Sequence, residues 1–364
     1  MKTKKFLSMA ALALVGAMMT GCSNDDNYQQ PENKSNLVTL TTTIGLDDGG
    51  TTRALTATGV KTFAAGDQIA VIYTKNGGTV TKAVSEALPA GSYGANATFT
   101  VTLDDPDKTQ NVTYIYPAAM AGETGVDYTK LNSQSNGTLT DLGSKYDLAT
   151  NSGAWNGDNL PTLTLNNQLA ILAINLKNGS TDITSSITDM TISDGMNNYA
   201  VSGISSASTI YVAIRPTTDA TINVTATDGA NEYVKTLATT KTYAANNGYN
   251  VTWNMTKLTK VTWNSNDITG SGKSFTKDGV TITAGDIFFE MKDFNNGGTF
   301  TTSLGNFTKI EVTADWFCEF SGTGWSGNDT KKTWAGTPAS SVSFSGDING
   351  GGNANFVFTI EPTN

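Results

Sequence analysis

The sequence predicts an all-β protein built of tandem β-sandwich domains, and three observations carry that expectation. Apolar residues recur at alternate positions from Leu37 to the C-terminus, the period of a half-buried strand. Clusters of Gly, Asn, Asp and Ser separate these runs at spacings that suit sandwich strands. No long, capped amphipathic helix is legible: Thr is abundant, and charged residues make up only 15% of the 364 residues.

The N-terminus carries Lys2, Lys4 and Lys5, an apolar run from Phe6 to Met19, and then Thr20-Gly21-Cys22. This is the three-part layout of a secretion signal, and the run is shorter than the ~20 apolar residues that cross a bilayer. Small residues before Cys22 resemble a lipobox, which makes residues 1–21 a lipoprotein signal peptide and Cys22 the acylated residue. Met19 stands where Leu is usual in that motif. Ser23-Asn24-Asp25-Asp26 resembles the acidic export signal of surface lipoproteins in Bacteroidetes; read from its residues alone, it is a solvated polar tether. One acyl chain holds a membrane only marginally, so an outer-membrane anchor here requires multiple acylation of Cys22.

Residues 22–36 are polar, include Pro31 and show no apolar period, as expected of a tether. Val38, Leu40, Thr42, Ile44 and Leu46 then alternate with Thr39, Thr41, Thr43 and Gly45, predicting a first strand that Asp47-Asp48-Gly49-Gly50 stops. Ile210, Val212 and Ile214; Ile222, Val224 and Ala226; Val251, Trp253 and Met255; and Phe356, Phe358 and Ile360 repeat the pattern. Leu169–Leu176 is more continuously apolar, which fits a central strand buried on both faces or a short buried helix.

A single core seldom grows past ~250 to 300 residues, so several domains are expected. The loop Gly153-Ala154-Trp155-Asn156-Gly157-Asp158 divides a first sandwich, 37–160, from a second, 161–258. The tetrapeptide Val-Thr-Trp-Asn occurs at Val251–Asn254 and again at Val261–Asn264, and a third sandwich is expected over 259–364.

Composition excludes several functions. The sequence has no histidine, which removes imidazole-based triads and the commonest zinc ligand. The formal charge is −9, and loss of residues 1–21 takes away three lysines and no acid, giving −12. Nucleic acid is therefore not an expected partner, because it requires basic patches. Arg53 and Arg215 are the only arginines. Cys318 has no second thiol to pair with once Cys22 is acylated, and is expected to pack as a small apolar residue. Asp104-Asp105-Pro106-Asp107 is the densest carboxylate cluster, but its spacing matches no calcium loop and reads as a turn. Asp67, which has no partner carboxylate at a telling spacing, reads as a turn cap. No catalytic residue, metal site or cofactor is expected.

Phe63-Ala64-Ala65-Gly66-Asp67-Gln68-Ile69, Tyr114-Ile115-Tyr116-Pro117, Gln168-Leu169-Ala170-Ile171 and Asn247-Gly248-Tyr249-Asn250-Val251 occur in this order behind the lipobox. With them, Leu37 to about Leu258 resembles the fimbrillins, the pilus subunits and related lipoproteins of Bacteroidetes. The resemblance implies transthyretin-like, Greek-key sandwiches and a structural or adhesive role at the outer membrane or in a fimbrium. It also implies assembly by strand exchange: an arginine-directed protease cuts after an early arginine, the first strand is lost, and a strand from another pilus subunit fills the groove. Thr51-Thr52-Arg53-Ala54 sits where that cut belongs, between Arg53 and Ala54, and Val38, Leu40, Ile44 and Leu46 are the apolar side chains that leave with the strand. The alternative is a loop arginine that is never cut.

Beyond Thr259 the resemblance stops. Trp263, Trp316, Trp325 and Trp334 lie there. Alternation with Ile310 and Val312 places Trp316 in the core. Trp325 and Trp334, flanked by small residues, are the candidate exposed contacts for a host glycan or protein. They sustain a second expectation, a monomeric outer-membrane lipoprotein that binds ligand through its C-terminal domain. The patterning of Phe356 to Ile360 suggests that the last strand stays in its own core, as suits a terminal subunit better than a repeating one.

Overall fold

The computed structural model describes residues 36–47 and 62–363. Cys22, Arg53 and Ala54 lie outside the described residues.

The first strands are β1 (Leu37–Leu46), β2 (Ala70–Thr74), β3 (Val80–Val84), β4 (Asn96–Asp104), β5 (Val112–Tyr116), β6 (Ser133–Ser135), β7 (Ala149–Gly153) and β8 (Leu163–Asn167). All but β6 lie on one seven-stranded path, β3-β2-β5-β7-β8-β1-β4. β8 joins its two halves: Leu163–Leu165 pair parallel with Ile44–Leu46 of β1, and Asn166 and Asn167 pair with Thr150 and Ala149 of β7. Strands that switch partners in this way make the corners of sandwiches. Between the halves lies a core that includes Ile44, Phe99, Val101, Tyr114 and Leu165.

β9 (Ala170–Asn178), β10 (Thr181–Asp182), β11 (Asp189–Ser193), β12 (Asn198–Ser202), β13 (Ile210–Ile214), β14 (Thr217–Ala220), β15 (Asn223–Thr227), β16 (Glu232–Thr236), β17 (Lys241–Tyr243), β18 (Asn247–Asn254) and β19 (Thr256–Lys257) follow. One sheet runs β19-β16-β15-β11-β12-β6, and in the other β9 lies between antiparallel β13 and parallel β18. Flanked on both edges, with Ala170, Ile171, Leu172, Ile174 and Leu176 all buried, β9 is the central strand that its continuous apolar run allowed, not a helix.

The last ten strands are β20 (Thr259–Asn264), β21 (Ser274–Lys277), β22 (Val280–Phe288), β23 (Asp293–Thr302), β24 (Gly305–Thr313), β25 (Trp316–Ser321), β26 (Trp325–Gly327), β27 (Lys331–Trp334), β28 (Ser341–Asn349) and β29 (Asn355–Pro362). They form two five-stranded sheets, β20-β29-β24-β27-β26 and β21-β22-β23-β28-β25. Their core, from Val261 to Ile360, is separate from the other two. The two Val-Thr-Trp-Asn segments lie in different modules, in β18 and β20, with Trp253 and Trp263 buried in different cores. The fold is thus all-β, and the helical segments among the described residues run to five residues at most, as in Tyr128–Asn132.

The division expected between residues 160 and 161 does not coincide with a change of sheet. β8 belongs to the first sheet, whereas β6 pairs parallel with β12 of the second module. The physical reason is that β2 and β5 are buried on both faces. Val71, Tyr73, Tyr114 and Tyr116 face the first core; Ala70, Ile72 and Ile115 face the second, together with Met120, Leu131, Leu142 and Leu148. A segment that precedes the loop at 153–158 thus completes the following core, and the first two modules interleave along the chain.

The turn cap expected at Asp67 has a direct counterpart. Asp67 Oδ2 accepts from the Ala64 N–H (2.8 Å) and from the Tyr116 hydroxyl (2.7 Å) around Gly66, whose φ is +90°. Phe63 folds back against Phe99 and Tyr116 with edge-to-face rings. β5 ends at Tyr116, immediately before Pro117.

Candidate strand-exchange site

β1 is the candidate site, and its alternation sets what each side chain does. Leu37 to Gly45 pair antiparallel with Asp104 to Asn96 of β4, so one edge is closed along nearly its full length. Along the other edge Ile44–Leu46 are, among the described residues, the part that pairs with a strand, in β8. The outward side chains form a hydroxyl ladder, Thr39 to Thr102 at 2.9 Å and Thr43 to Thr98 at 3.1 Å. Inward, Ile44 and Leu46 are buried in the first core and Leu40 packs against it, whereas Val38 is half-buried near the strand's start.

Thr42 is the polar member of the inward row. Its hydroxyl donates to the Pro161 carbonyl (2.8 Å), which also accepts from the Tyr114 hydroxyl (2.9 Å). Burial pushes the Tyr114 hydroxyl up to about 12, partly offset by its contact with Thr42. Gly45 sits where β1 is wedged between β4 and β8. A Cβ there would come within 2.9 Å of Asn96 Oδ1 and 3.0 Å of Thr164 Oγ1.

The end of β1 is pinned. The Leu46 N–H donates to Ala95 O (2.8 Å), the Asp47 N–H to Leu165 O (3.1 Å), and Asn167 Nδ2 to Asp47 O (3.0 Å). Asn246 of the second module donates to Asp47 Oδ2 (3.3 Å). On the far side of the undescribed residues the Phe63 N–H donates to Gly94 O (3.1 Å), next to the Ala95 carbonyl that accepts from Leu46.

The two tryptophans expected to be exposed are placed otherwise. Trp334 is only 5% exposed; its indole N–H donates to Thr323 O (3.1 Å), and the ring is gripped by Gly324 and Gly336, where a Cβ would approach it to 2.7 Å. Trp325, directly across from Trp334, packs part-buried on Phe300 and Phe320 and donates to Ser343 O (3.0 Å). Trp316, expected in the core, is 53% exposed. The chain turns at Ala314-Asp315 into a new strand of the opposite sheet, so the alternation of β24 does not carry through. Cys318, two residues along β25, is part-exposed and shares the outward side with Trp316, not the core.

The acidic cluster is structural. Asp104 pairs with Lys75 (2.6 Å), and Asp107 Oδ1 accepts from the Thr109 hydroxyl and N–H, which hold its carboxyl below the usual range. Among the described residues no three acids or cysteines gather as a metal site would require.

No protein-family model matches the sequence, and no curated protein matches it. Among solved structures, the chain is similar to fimbrial and cell-adhesion proteins of Bacteroidetes. A candidate cell adhesion protein of Bacteroides uniformis is 15% identical, over 61% of this chain and 95% of that one, with a TM-score of 0.32. A tip fimbrial protein of Porphyromonas gingivalis with a C-terminal truncation is 10% identical, over 59% and 94%, with a TM-score of 0.28. A fimbrilin of the same organism is 9% identical, over 54% and 71%, with a TM-score of 0.25. At such identities no residue's role carries over from them to this chain.

Two devices escape a reading by hydrophobic period. Gln134 is buried and acts as a one-residue strand: its Nε2 donates to Ala213 O (2.7 Å) and its Oε1 accepts from the Ala213 N–H (3.0 Å), closing an edge of β13. The second is a duplicated turn. Asp194-Gly195-Met196-Asn197-Asn198-Tyr199 and Asp228-Gly229-Ala230-Asn231-Glu232-Tyr233 share Asp-Gly-x-Asn-x-Tyr, and in both the carboxylate accepts from two backbone N–H groups, the Asn amide and the Tyr hydroxyl. The shared Asp-Gly-x-Asn-x-Tyr spacing is the sequence signal of this turn.

Proposed function

We propose that this chain is a fimbrillin-like surface lipoprotein, anchored through acylated Cys22, that joins other pilus subunits by strand exchange after cleavage between Arg53 and Ala54. The observation that carries the reading is β1 itself: the first described strand, over an apolar core, closed along one edge by β4 and followed in sequence by the segment that contains Arg53. Because that segment starts and ends at neighbouring backbone groups, a cut within it breaks none of the hydrogen bonds described for β1. Departure of β1 would uncover Phe99, Val101 and Leu165 and strip β4 of the strand partner it has among the described residues. Burial of Ile44 and Leu46, roughly 1.5–3 kcal/mol each, is then available to a donor with side chains at the same alternate positions. Thr42 shows that the trough also accepts a hydroxyl. β29 supports a terminal place over a repeating one, since it lies between β20 and β24 with Phe356, Phe358 and Ile360 buried.

The test is limited digestion of the full chain with an arginine-specific protease, followed by light scattering and N-terminal sequencing. A new N-terminus at Ala54 accompanied by oligomers is the expected result, together with their suppression by an excess of a peptide of residues 37–46. A chain cleaved at Arg53 that has lost β1 and stays monomeric and folded overturns the proposal.

A further inference from the structure

The third sandwich carries two exposed aromatic rings at opposite ends of one cross-strand row. Phe288 of β22 stands opposite Asp293 of β23, Asp293 opposite Asn349 of β28, and Asn349 opposite Trp316 of β25. The adjacent row, Ile287, Phe294, Ile348 and Phe317, packs into the core. Residues paired across strands share a face and successive residues alternate, so the Phe288–Trp316 row points outward. Trp316 is 53% and Phe288 49% exposed. Three strand spacings of ~4.8 Å put the two residues about 14 Å apart, with a carboxylate and an amide between them.

We infer that this face is a platform for a neutral oligosaccharide chain, with Trp316 and Phe288 stacking on the apolar faces of sugar rings and the Asp293 carboxylate accepting from hydroxyls between them, while the Asn349 amide nitrogen is buried in the sheet. Large rings are costly to leave in water, yet here they are separated by polar side chains. That spacing does not suit a contiguous apolar partner, but it suits a ligand that alternates C–H faces with hydroxyls. The charge on the face selects further. Asp286, Asp293 and Asp347 lie on the outward rows and disfavour phosphate, sulfate and uronate. Their charge is also already met within the sheet: Asp293 Oδ1 accepts from the Gly350 N–H (2.9 Å), Asp347 Oδ1 from the Asn296 N–H (2.8 Å), and Asp286 pairs with Asn296 Nδ2 (3.0 Å) and Lys273 (3.5 Å). Carboxylates engaged in this way favour a neutral ligand over a basic peptide.

The core of the third sandwich contains no residue of β1, so the platform stands or falls apart from strand exchange. The test is native affinity electrophoresis of the full chain in gels containing galactomannan, xylan, dextran or arabinan, with polygalacturonate and polylysine as charged comparisons. Retardation by at least one neutral polysaccharide is expected, weakened tenfold or more by Trp316→Ala and by Phe288→Ala. Trp316→Phe should keep most of the retardation, because it keeps a ring. Both positions are half exposed, so the variants should melt with the parent, and a shift of tryptophan emission on adding the bound polysaccharide, absent in Trp316→Phe, reads the contact independently. No retardation by any of the neutral polymers, retardation unchanged in the double alanine variant, or ring-dependent retardation by polylysine alone overturns the inference.

Discussion

The Thr42 and Tyr114 hydroxyls converge on one acceptor, the Pro161 carbonyl, at 2.8 and 2.9 Å. Thr42 is the one buried polar side chain of β1, and Tyr114 belongs to β5, in the other half of the sheet. The carbonyl keeps a donor either way, so β1 can be withdrawn without stranding it. Thr42→Val should cost about 1 kcal/mol in denaturant unfolding and Tyr114→Phe a similar amount, while the double variant, which orphans the carbonyl, should cost more than their sum.

The same tyrosine sets an alkaline limit. Its folded pKa, about 12, lies above the ordinary value of 10.0, so the unfolded chain loses its proton first as pH rises. The contribution is fully present below pH 10 and is lost between 10 and about 12. Tyr116, Tyr199 and Tyr243 are shifted upward by burial as well and act in the same sense. Melting temperature should fall steeply above pH 10, and less steeply in Tyr114→Phe.

At the acid end the duplicated turn contributes. For Asp228 the Asn231 amide is the largest cause and, with backbone N–H groups and the Tyr233 hydroxyl, brings the carboxyl down to about 2. For Asp194 burial works against ionisation, but donors from Asn197, Met196 and Tyr199 outweigh it and the pKa is lowered. A lowered folded pKa gives stability that is present above the unfolded value near 3.8 and lost as pH falls through the folded one. Thermal melts between pH 5 and 2 should show this decline, flattened in Asp228→Asn. Asp194→Ala, at the more buried site, should cost about 1.5–3 kcal/mol at neutral pH.

Trp316 and Trp334 exchange the roles that the sequence assigns them. Trp334→Ala should therefore cost about 3–5 kcal/mol by emptying the slot between Gly324 and Gly336, whereas Trp316→Ala should stay within about 0.5 kcal/mol. Equal effects on urea midpoints would contradict the burial difference.

Why that exchange was illegible has a general cause. Alternation within a strand identified the buried faces of β1, β13, β15 and β29, because a period of two survives as long as the strand does. It cannot say where one strand stops and the next begins in the other sheet, and Ala314-Asp315 is such a switch. The sheet pairing across residue 161 was illegible for a related reason: β2 and β5 serve two cores, and no local pattern distinguishes a strand buried on both faces within one domain from one shared between two. The candidate site was legible because β1 is an uninterrupted alternating run, yet its hold on Asn167 and Asn246 depends on contacts far apart in sequence.

β29 gives the sharpest test of the third sandwich. Truncation after Ala354 removes Phe356, Phe358 and Ile360, all fully buried, together with the ladder to β20 and β24. Three such side chains are worth roughly 1.5–3 kcal/mol each, of the order of the 5–15 kcal/mol that holds a whole domain. The emission of Trp263, which packs on Phe356 and Phe358, should shift to the red while the first two modules keep their own melting transition, since their cores draw on nothing beyond Met255. A truncated chain that kept blue-shifted emission would show β29 to be dispensable to its own core and free to enter another subunit, which would count against the terminal place proposed above.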